Sequence, residues 1–212
     1  MTPTPLFRTT LLIGALAATT LLGACAPLLV GGAIVGSSMV VTDRRTSGTQ
    51  LEDQSIELKS VKRVNETIGE RGHVSVTSYN RLVLISGEVP TEADKSNVEQ
   101  TVARIENVRS VVNELAIGTP SSIGTRSNDT LITSKVKASI VDAKDVQVGA
   151  FKVVTERGNV YLMGRVTERE ANRAADISRG VSGVVKVVKV FEVISEAELA
   201  GGATSPAPSA TK

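Results

Sequence analysis

The sequence predicts an α+β fold made of two similar units, each with the order α-β-β-α-β and a small three-stranded mixed sheet packed on two helices. Three observations predict this fold. The middle of the chain repeats itself, alternating β-patterns occur in pairs joined by turn residues, and a threonine followed by acidic residues precedes apolar helical stripes. Two copies indicate a duplicated small domain, because a solenoid generally needs at least three repeats.

The two copies share strand, helix and turn residues at nearly constant spacing. Three pairs of segments align: residues 80–89 with 157–166, residues 107–115 with 183–191, and Asp53-x-x-Ile56 with Asp129-x-x-Ile132. A Thr-Glu pair follows the first aligned segment in each copy. The chain therefore carries one ancestral unit twice.

Each unit is expected to begin with a helix followed by a β-hairpin. In the second unit this helix runs from Asn128 to Asp142, with one stripe expected to face the sheet: Ile132, Val136, Ser139, Ile140 and Ala143. The hairpin strands are predicted at residues 74–77 and 82–89 in the first unit, and at 151–155 and 160–166 in the second. Gly87 and Gly164 lie inside strands, which indicates a bulge or a close backbone approach.

A second helix and a final strand complete each unit. Thr91 and Thr167 are predicted N-caps of helices at 92–106 and 168–182. Glu168 and Glu170 would complement the helix dipole and point outward. The last strands, at 108–117 and 184–194, should run parallel to the preceding strand after a right-handed crossover.

The N-terminal residues have the pattern of a lipoprotein signal. Arg8 is the one charge before an apolar run over residues 11–22, and Leu22-Gly23-Ala24-Cys25 places two small residues before the only cysteine. We expect cleavage before Cys25 and attachment of diacylglycerol and a fatty acyl chain such as palmitate to that residue. An uncleaved membrane span, or an ordinary signal with a buried cysteine, are the alternatives. Ala26, rather than aspartate, indicates export to the outer membrane.

These patterns divide the chain into six parts. They are a signal peptide at 1–24, a lipidated tether at 25–52, a first domain at 53–118, a linker at 119–127, a second domain at 128–195 and a disordered tail at 196–212. The linker is short, so the two domains should touch.

The composition argues against several classes of function. Lysine and arginine total 24 against 22 acidic residues, and tryptophan is absent, so nucleic acid is not an expected partner. His73 is the only histidine, so a metal cage or a histidine-based triad would have to be assembled almost entirely from other residue types. We therefore expect the protein to have no enzymatic activity and to bind no metal ion or cofactor. His73 should be a surface or satisfied residue, and Glu156, Arg157 and Arg169 solvated charges.

The D-x-x-I helix, the V-x-L-x-G-x-V strand and the terminal G-V-x-x-V run together resemble the BON domain family of bacterial periplasmic proteins. The match covers about residues 42–194, including the segment TDRRTSGTQ at 42–50. The resemblance implies an outer-membrane lipoprotein facing the periplasm that supports envelope integrity. It also implies collection at division sites and binding of anionic phospholipid through the first helix of the second domain.

That helix has the chemistry of a lipid-binding surface. Leu131 falls outside the buried stripe beside Lys135, with Lys137 on the opposite flank, so an apolar group could enter the headgroup region while ammonium groups meet phosphates. The predicted lipid-binding residues are Leu131, Ser134, Lys135, Lys137 and Ala138. Leu131 replaces an aromatic of the family, which implies affinity that is either weaker or more dependent on charge.

Two other interpretations of this helix remain open at the level of sequence. Leu131 could belong to the edge of the core beneath the linker. The same helix, or an exposed sheet edge, could instead recruit an envelope or division protein by β-augmentation, which would make the chain a periplasmic adaptor for envelope assembly or cell-wall enzymes.

Overall fold

The computed structural model describes residues 43–200. The predicted signal peptide, Cys25, the tether up to residue 42 and the tail from residue 201 lie outside this range. The elements are α1 (Ser47–Ile68), β1 (His73–Tyr79), β2 (Leu82–Val89), α2 (Glu92–Ala103), β3 (Ser110–Asn113), β4 (Ala116–Ile117), α3 (Ile123–Ala143), β5 (Phe151–Glu156), β6 (Asn159–Thr167), α4 (Glu168–Arg179), β7 (Lys186–Ile194) and α5 (Glu196–Ala200). The order α-β-β-α-β occurs twice, which confirms the predicted α+β fold.

Each unit has its own mixed sheet. In the first unit β1 pairs antiparallel with β2, and β3 and β4 pair parallel with β2. In the second, β5 pairs antiparallel with β6, and β7 pairs parallel with β6 along nine residues. The prediction that the last strand runs parallel to the one before it is confirmed.

The last strand of the first unit is not continuous, contrary to the prediction for residues 108–117. It divides into β3 and β4 because the Asn113 side chain enters the local hydrogen bonding: Leu115 donates its backbone N–H to Asn113 Oδ1 at 3.1 Å, and Asn113 Nδ2 donates to the carbonyl oxygen of Lys95 at 3.1 Å. The short β4 then resumes pairing with β2.

In each sheet the central strand, β2 or β6, is buried on both faces. One face packs on the helices of its own unit, where Ile56 and Val64 of α1 and Ile132 and Val136 of α3 are at most 4% exposed. The opposite faces share one apolar cluster drawn from both units: Tyr79, Leu84, Tyr161, Met163 and Val190. The two units therefore touch through their sheets, and burial on both faces explains the nearly continuous apolar runs of β2 and β6.

The front helices begin earlier than predicted, at the expense of the tether and the linker. α1 starts at Ser47 because Thr46 Oγ1 accepts a hydrogen bond from the backbone N–H of Thr49 at 3.2 Å. α3 starts at Ile123 because Ser122 Oγ accepts from the backbone N–H of Thr125 at 3.1 Å. These serine and threonine residues cap helices, although the segments that contain them have the composition of a linker.

Two other predicted boundaries also differ. α2 and α4 end three residues early, at Ala103 and Arg179, where tighter turns take over: Ile105 and Gly180 each donate a backbone N–H to the carbonyl three residues back. The predicted disordered tail is wrong for its first residues, because Glu196–Ala200 forms α5.

The strand glycines mark close backbone approaches, as predicted. A Cβ atom on Gly164 would lie 2.3 Å from the carbonyl oxygen of Ala150, and one on Gly87 would lie 2.0 Å from that of His73. Gly87 also has a φ of 116°, a conformation that L side chains rarely adopt. Glycine is thus required at both positions, because the backbone opposite leaves no room for a Cβ atom.

Candidate functional site

The outward face of α3 contains every residue predicted to bind lipid. Leu131 is 60% exposed, so it does not belong to the core. The other four predicted residues are exposed as well: Ser134, Lys135, Lys137 and Ala138. Leu131, Lys135 and Ala138 are spaced four and three residues apart, which places them on one side of the helix.

The structure extends this surface beyond the residues found in the sequence. Val141, three residues after Ala138, is 41% exposed. Its helical spacing from Ala138 and Leu131 was a usable signal, but an apolar residue near a predicted helix end is normally assigned to the core. Asp142 is exposed at the C-terminal end of the same face and is its acidic member.

The lysines of α3 differ from their counterparts in the first domain. Lys59, which corresponds to Lys135, has its Nζ atom 3.5 Å from Glu106 Oε2. Ser182 stands at the position corresponding to Glu106. Within residues 43–200, neither Lys135 nor Lys137 forms an ion pair, so both ammonium groups are available to an external anion.

The first domain also exposes an apolar helix face. Leu51, Leu58 and Val61 of α1 are 67%, 74% and 47% exposed. Leu58 is therefore at least as accessible as Leu131 and lies in a helix of the same length class, 22 against 21 residues. It provides a matched comparison for any role assigned to Leu131.

A buried aspartate holds each hairpin turn to its front helix. Asp129, 4% exposed, accepts hydrogen bonds from the backbone N–H groups of Arg157 and Gly158, both at 2.8 Å. Asp53 accepts from the backbone N–H groups of Asn80 and Arg81, also at 2.8 Å. These contacts explain the D-x-x-I pattern: the aspartate fixes the turn and the isoleucine enters the core.

The turns themselves require this support because both central residues have positive φ. Asn80 and Arg81 have φ of 50° and 64°, and Arg157 and Gly158 have φ of 52° and 75°. This is the geometry of two-residue hairpin turns that match strand twist. Three of the four positions lack the freedom of glycine, so the aspartate hydrogen bonds offset local backbone strain.

Two consecutive arginines join the start of the described chain to both domains. Arg44 donates two hydrogen bonds to Glu170, at 2.7 and 2.8 Å, and a third to the carbonyl oxygen of Arg165 at 3.0 Å. Arg45 donates to Asp53 at 2.8 Å, and its guanidinium carbon lies 4.2 Å from the centre of the Tyr79 ring. Residues 43–45 therefore clamp the second domain with one arginine and the first with the other.

Glu170 was predicted to point outward, and this prediction is wrong. Its side chain is 4% exposed, and it forms a capping box with Thr167 in addition to its pair with Arg44. The hydrogen bonds from Arg44 hold the pKa of Glu170 below its usual value despite burial. The stabilisation linked to this shift is present above the ordinary glutamate pKa and is lost as the pH falls through the lowered value.

Ion pairs across the domain junction surround the apolar contact between the sheets. Lys152 Nζ lies 2.7 Å from Glu57 Oε1, and Arg109 lies 3.0 Å from Glu192. Asn80 Nδ2 also donates to Glu192. These bonds connect α1, the first hairpin turn and the residue before β3 to β5 and β7, so the junction is polar at its rim and apolar at its centre.

Glu156 also differs from its prediction as a solvated charge. It is 8% exposed at the end of β5, whereas Arg157 and Arg169 are exposed as expected. The side chain of His73 is 29% exposed, and its Nε2 atom lies 4.0 Å from Glu156 Oε2. Burial of a glutamate at the junction could not be inferred from a β-strand end beside a charged turn.

Among residues 43–200, no group of three or more histidine, cysteine, aspartate or glutamate side chains is arranged to hold a metal ion. In the same range, no helix has the length and apolar character needed to cross a bilayer. The functional features of the described chain are thus an exposed helix face, two clamped hairpin turns and a joined pair of domains.

The described residues thus form a tandem α+β module of two domains of one type. Each domain has a buried aspartate on its first helix, a hairpin with a glycine at a close backbone approach, and a third strand parallel to the second. The chain belongs to the BON domain family, whose profile matches residues 53–119 and 128–195. Over 196 residues it is 37% identical to the outer membrane lipoprotein DolP of Haemophilus influenzae, covering 92% of this chain and 100% of that protein.

Two other relatives are more distant. The 21 kDa hemolysin of Actinobacillus pleuropneumoniae is 31% identical over 154 residues, which cover 72% of this chain and 79% of that protein. Osmotically-inducible protein Y of Escherichia coli (strain K12) is 30% identical over 117 residues, which cover 54% of this chain and 58% of that protein.

Proposed function

We propose that this chain is an outer-membrane lipoprotein, anchored through Cys25 on the periplasmic face, whose second BON domain binds anionic phospholipid through α3. In this role it helps to maintain envelope integrity, including at division sites, and acts as a binding protein without catalytic activity. The observation that carries the proposal is Leu131, 60% exposed beside two lysines that form no ion pair within residues 43–200.

The physical argument combines a shallow apolar contact with phosphate neutralisation. Leu131, Ala138 and Val141 can enter the headgroup region from one side of α3, while Lys135 and Lys137 reach lipid phosphates with their long side chains. Each lysine near an anionic surface contributes about 1 kcal/mol at moderate ionic strength. Neither contribution alone gives stable attachment, so the lipid anchor supplies retention and α3 supplies orientation and preference for anionic lipid.

The anchor part of the proposal is supported by two observations. The sequence places Cys25 after Leu22-Gly23-Ala24 at the end of an apolar run. The similarity to DolP extends over the full length of that outer membrane lipoprotein. Together they favour a chain that is held at the membrane by acyl chains attached to Cys25.

A second candidate function is recruitment of an envelope protein. The nine-residue strand β7 lies at one end of the strand order β5-β6-β7, so within residues 43–200 its outer side pairs with no other strand. An extended peptide could add to this edge by β-augmentation. Under this alternative, changes on α3 would leave partner binding intact.

Flotation of a protein made of residues 43–200 with lipid vesicles tests the proposal, because this protein lacks the acyl anchor. We expect it to float with vesicles that contain phosphatidylglycerol and to remain behind with pure phosphatidylcholine. Leu131→Glu should abolish flotation, whereas Leu58→Glu should preserve it. Flotation unaffected by Leu131→Glu, or equally reduced by Leu58→Glu, would show that α3 is not the lipid-binding surface.

Charge is tested separately from apolar contact. The double change Lys135→Glu with Lys137→Glu should weaken binding to anionic vesicles at least tenfold and remove most of its dependence on salt. Lys59→Glu with Lys62→Glu on α1 is the matched control, with the same change in net charge. Equal losses in both pairs would indicate only a general dependence on net charge.

A further inference from the structure

Two buried carboxyl groups lie where the BON domains and the segment between them meet. Glu88, near the end of β2 in the first domain, is 0% exposed, and Glu156, at the end of β5 in the second, is 8% exposed. Ser121 of the connecting segment donates its backbone N–H to Glu88 Oε2 at 3.0 Å. Ser121 immediately precedes Ser122, the N-cap of α3, so this point joins both domains to the start of the exposed helix.

Hydrogen bonding at this point is incomplete. Within residues 43–200, the Oε1 atoms of Glu88 and Glu156 are buried with no hydrogen-bond partner. An ionised carboxylate without partners is costly in a buried position, whereas a protonated carboxyl group is much less so. The site is therefore better suited to a protonated Glu156 than to a further carboxylate charge beside Glu88 and Asp129.

The charged and titratable groups around Glu156 come from β1, β2, α3, β6 and the second hairpin turn. Glu88 of β2 and Asp129 of α3 are negative, Arg126 of α3 and Arg157 of the turn are positive, and His73 of β1 and Tyr161 of β6 are titratable. Arg157 Nε lies 3.7 Å from Glu88 Oε1 but has a side chain that is 51% exposed, so solvent weakens its compensation. His73 Nε2, 4.0 Å from Glu156 Oε2, is positive only when protonated.

We propose that the Glu88–Glu156 junction is a proton-controlled coupling between the two BON domains, closed when Glu156 is protonated and loosened when it ionises. Ionisation of Glu156 places a third negative charge beside Glu88 and Asp129, at the point where Glu88 holds Ser121 against the first domain. Loosening frees the start of α3 from the first domain. The consequence for lipid binding depends on the proposed function, but the coupling itself does not.

The direction of the pH effect follows from the environment of Glu156. Burial, and then the charges of Glu88 and Asp129, raise the pKa of Glu156 to about 7 from 4.5. A raised pKa in the folded protein gives stability that is fully present below the ordinary value and is lost as the pH rises through the folded value. The domains should therefore be more firmly coupled at pH 5.5 than at pH 8.5.

The test uses the full chain in detergent micelles and measures urea unfolding between pH 5.5 and 8.5. The unfolding midpoint of the unmodified protein should fall as the pH rises from 5.5 to about 7 and level off above pH 7, because only below the folded pKa does the folded protein hold the additional proton. Glu156→Gln, which keeps the shape of a protonated carboxyl group, should retain a high midpoint at pH 8.5. Glu88→Gln should lower the pH at which this fall in the midpoint ends, because it removes a negative charge that raises the pKa of Glu156.

His73 is the matched control, because its Nε2 atom lies 4.0 Å from Glu156 Oε2 and its side chain is also ionisable. His73→Gln should leave the pH dependence in place; loss of the dependence in this variant together with its persistence in Glu156→Gln would overturn the proposal. Hydrogen exchange at Ser121, compared between the unmodified protein and Glu156→Gln at each pH, locates the effect. At pH 8.5 the Ser121 amide should exchange faster in the unmodified protein than in Glu156→Gln, and other amides should differ less.

A direct titration keeps the proposal testable even if a variant fails to fold. The side-chain carboxyl carbon of Glu156, followed by nuclear magnetic resonance in the unmodified full chain, should titrate with a midpoint near 7. A midpoint near the ordinary value of 4.5 would overturn the proposal, whatever the variants show.

Discussion

Arg44 and Glu170 are joined by two parallel hydrogen bonds, of 2.7 and 2.8 Å, although 126 residues separate them in the sequence. Their side chains are only 10% and 4% exposed. Since Arg45 is bound to Asp53 in the first domain, the segment that leads out of the predicted tether is fixed to both domains. The pair thus fixes the start of the described chain to the second domain.

Arg44→Ala should destabilise the folded chain strongly, because it leaves Glu170 charged and buried without its partner. Breaking a buried pair costs about 3–5 kcal/mol. Chemical denaturation of the variant measures this loss. Arg179→Ala is the control: its pair with Asp176 is exposed, and the expected change is within about 0.5 kcal/mol. A loss for Arg44→Ala no larger than for the control would contradict the clamp.

Asp129→Ala should destabilise the second domain by leaving the backbone N–H groups of Arg157 and Gly158 without a partner. Each unsatisfied buried group costs about 1–3 kcal/mol. The unfolding free energy and the hydrogen exchange of these two amides measure the effect. Asp142→Ala, an exposed change on the same helix, should be nearly neutral. Comparable losses of stability in both variants would refute the role of Asp129 in holding the hairpin turn.

Gly164→Ala should disrupt the pairing of β5 with β6, because a Cβ atom would lie 2.3 Å from the carbonyl oxygen of Ala150. Backbone atoms on both sides must move, so we expect severe loss of stability or of folding. Gly124→Ala in α3 is the opposite case, since its Cβ would contact only Ser122 Oγ at 3.7 Å. That change should be neutral or stabilising by up to about 1 kcal/mol. Thermal unfolding of both variants measures these two changes in stability.

Cys25→Ser should leave the chain as an unprocessed precursor without attached lipid, because a serine hydroxyl cannot form the thioether that carries diacylglycerol. Metabolic labelling with a radioactive fatty acid, followed by electrophoresis, measures both lipid attachment and size. Ala26→Asp, a change beside the modified residue, should leave lipid attachment intact. Labelled protein of mature size from Cys25→Ser would exclude the lipoprotein signal.

The fold was accessible from the sequence because its main signals are local. The repeat, the hairpin patterns and the threonine caps each depend on residues a few positions apart, and Gly87 and Gly164 were correctly expected at close backbone approaches. Element ends were less accurate: Thr46 and Ser122 extend α1 and α3 into segments whose composition resembles a linker. In such segments one capping hydrogen bond decides between helix and coil.

The clamp and the junction were missed because they depend on contacts between distant segments. Glu170 has the spacing of a capping residue, but only the fold brings Arg44 to it. Glu156 stands beside Arg157 in the sequence, and nothing in its own segment indicates that it is buried at a junction with Glu88 of the other domain. The exposed face of α3 was easier to predict, since Leu131 and Lys135 lie outside a clear apolar stripe.

The fluorescence of Leu131→Trp tests the lipid-binding role of α3 most directly. The chain contains no tryptophan, so the substitution provides a single reporter at the proposed contact. In the protein made of residues 43–200, its emission should shift to shorter wavelength on addition of phosphatidylglycerol vesicles but not of phosphatidylcholine vesicles. Leu58→Trp on α1 should show neither shift. An unchanged spectrum for Leu131→Trp, or a shift confined to Leu58→Trp, would contradict the account.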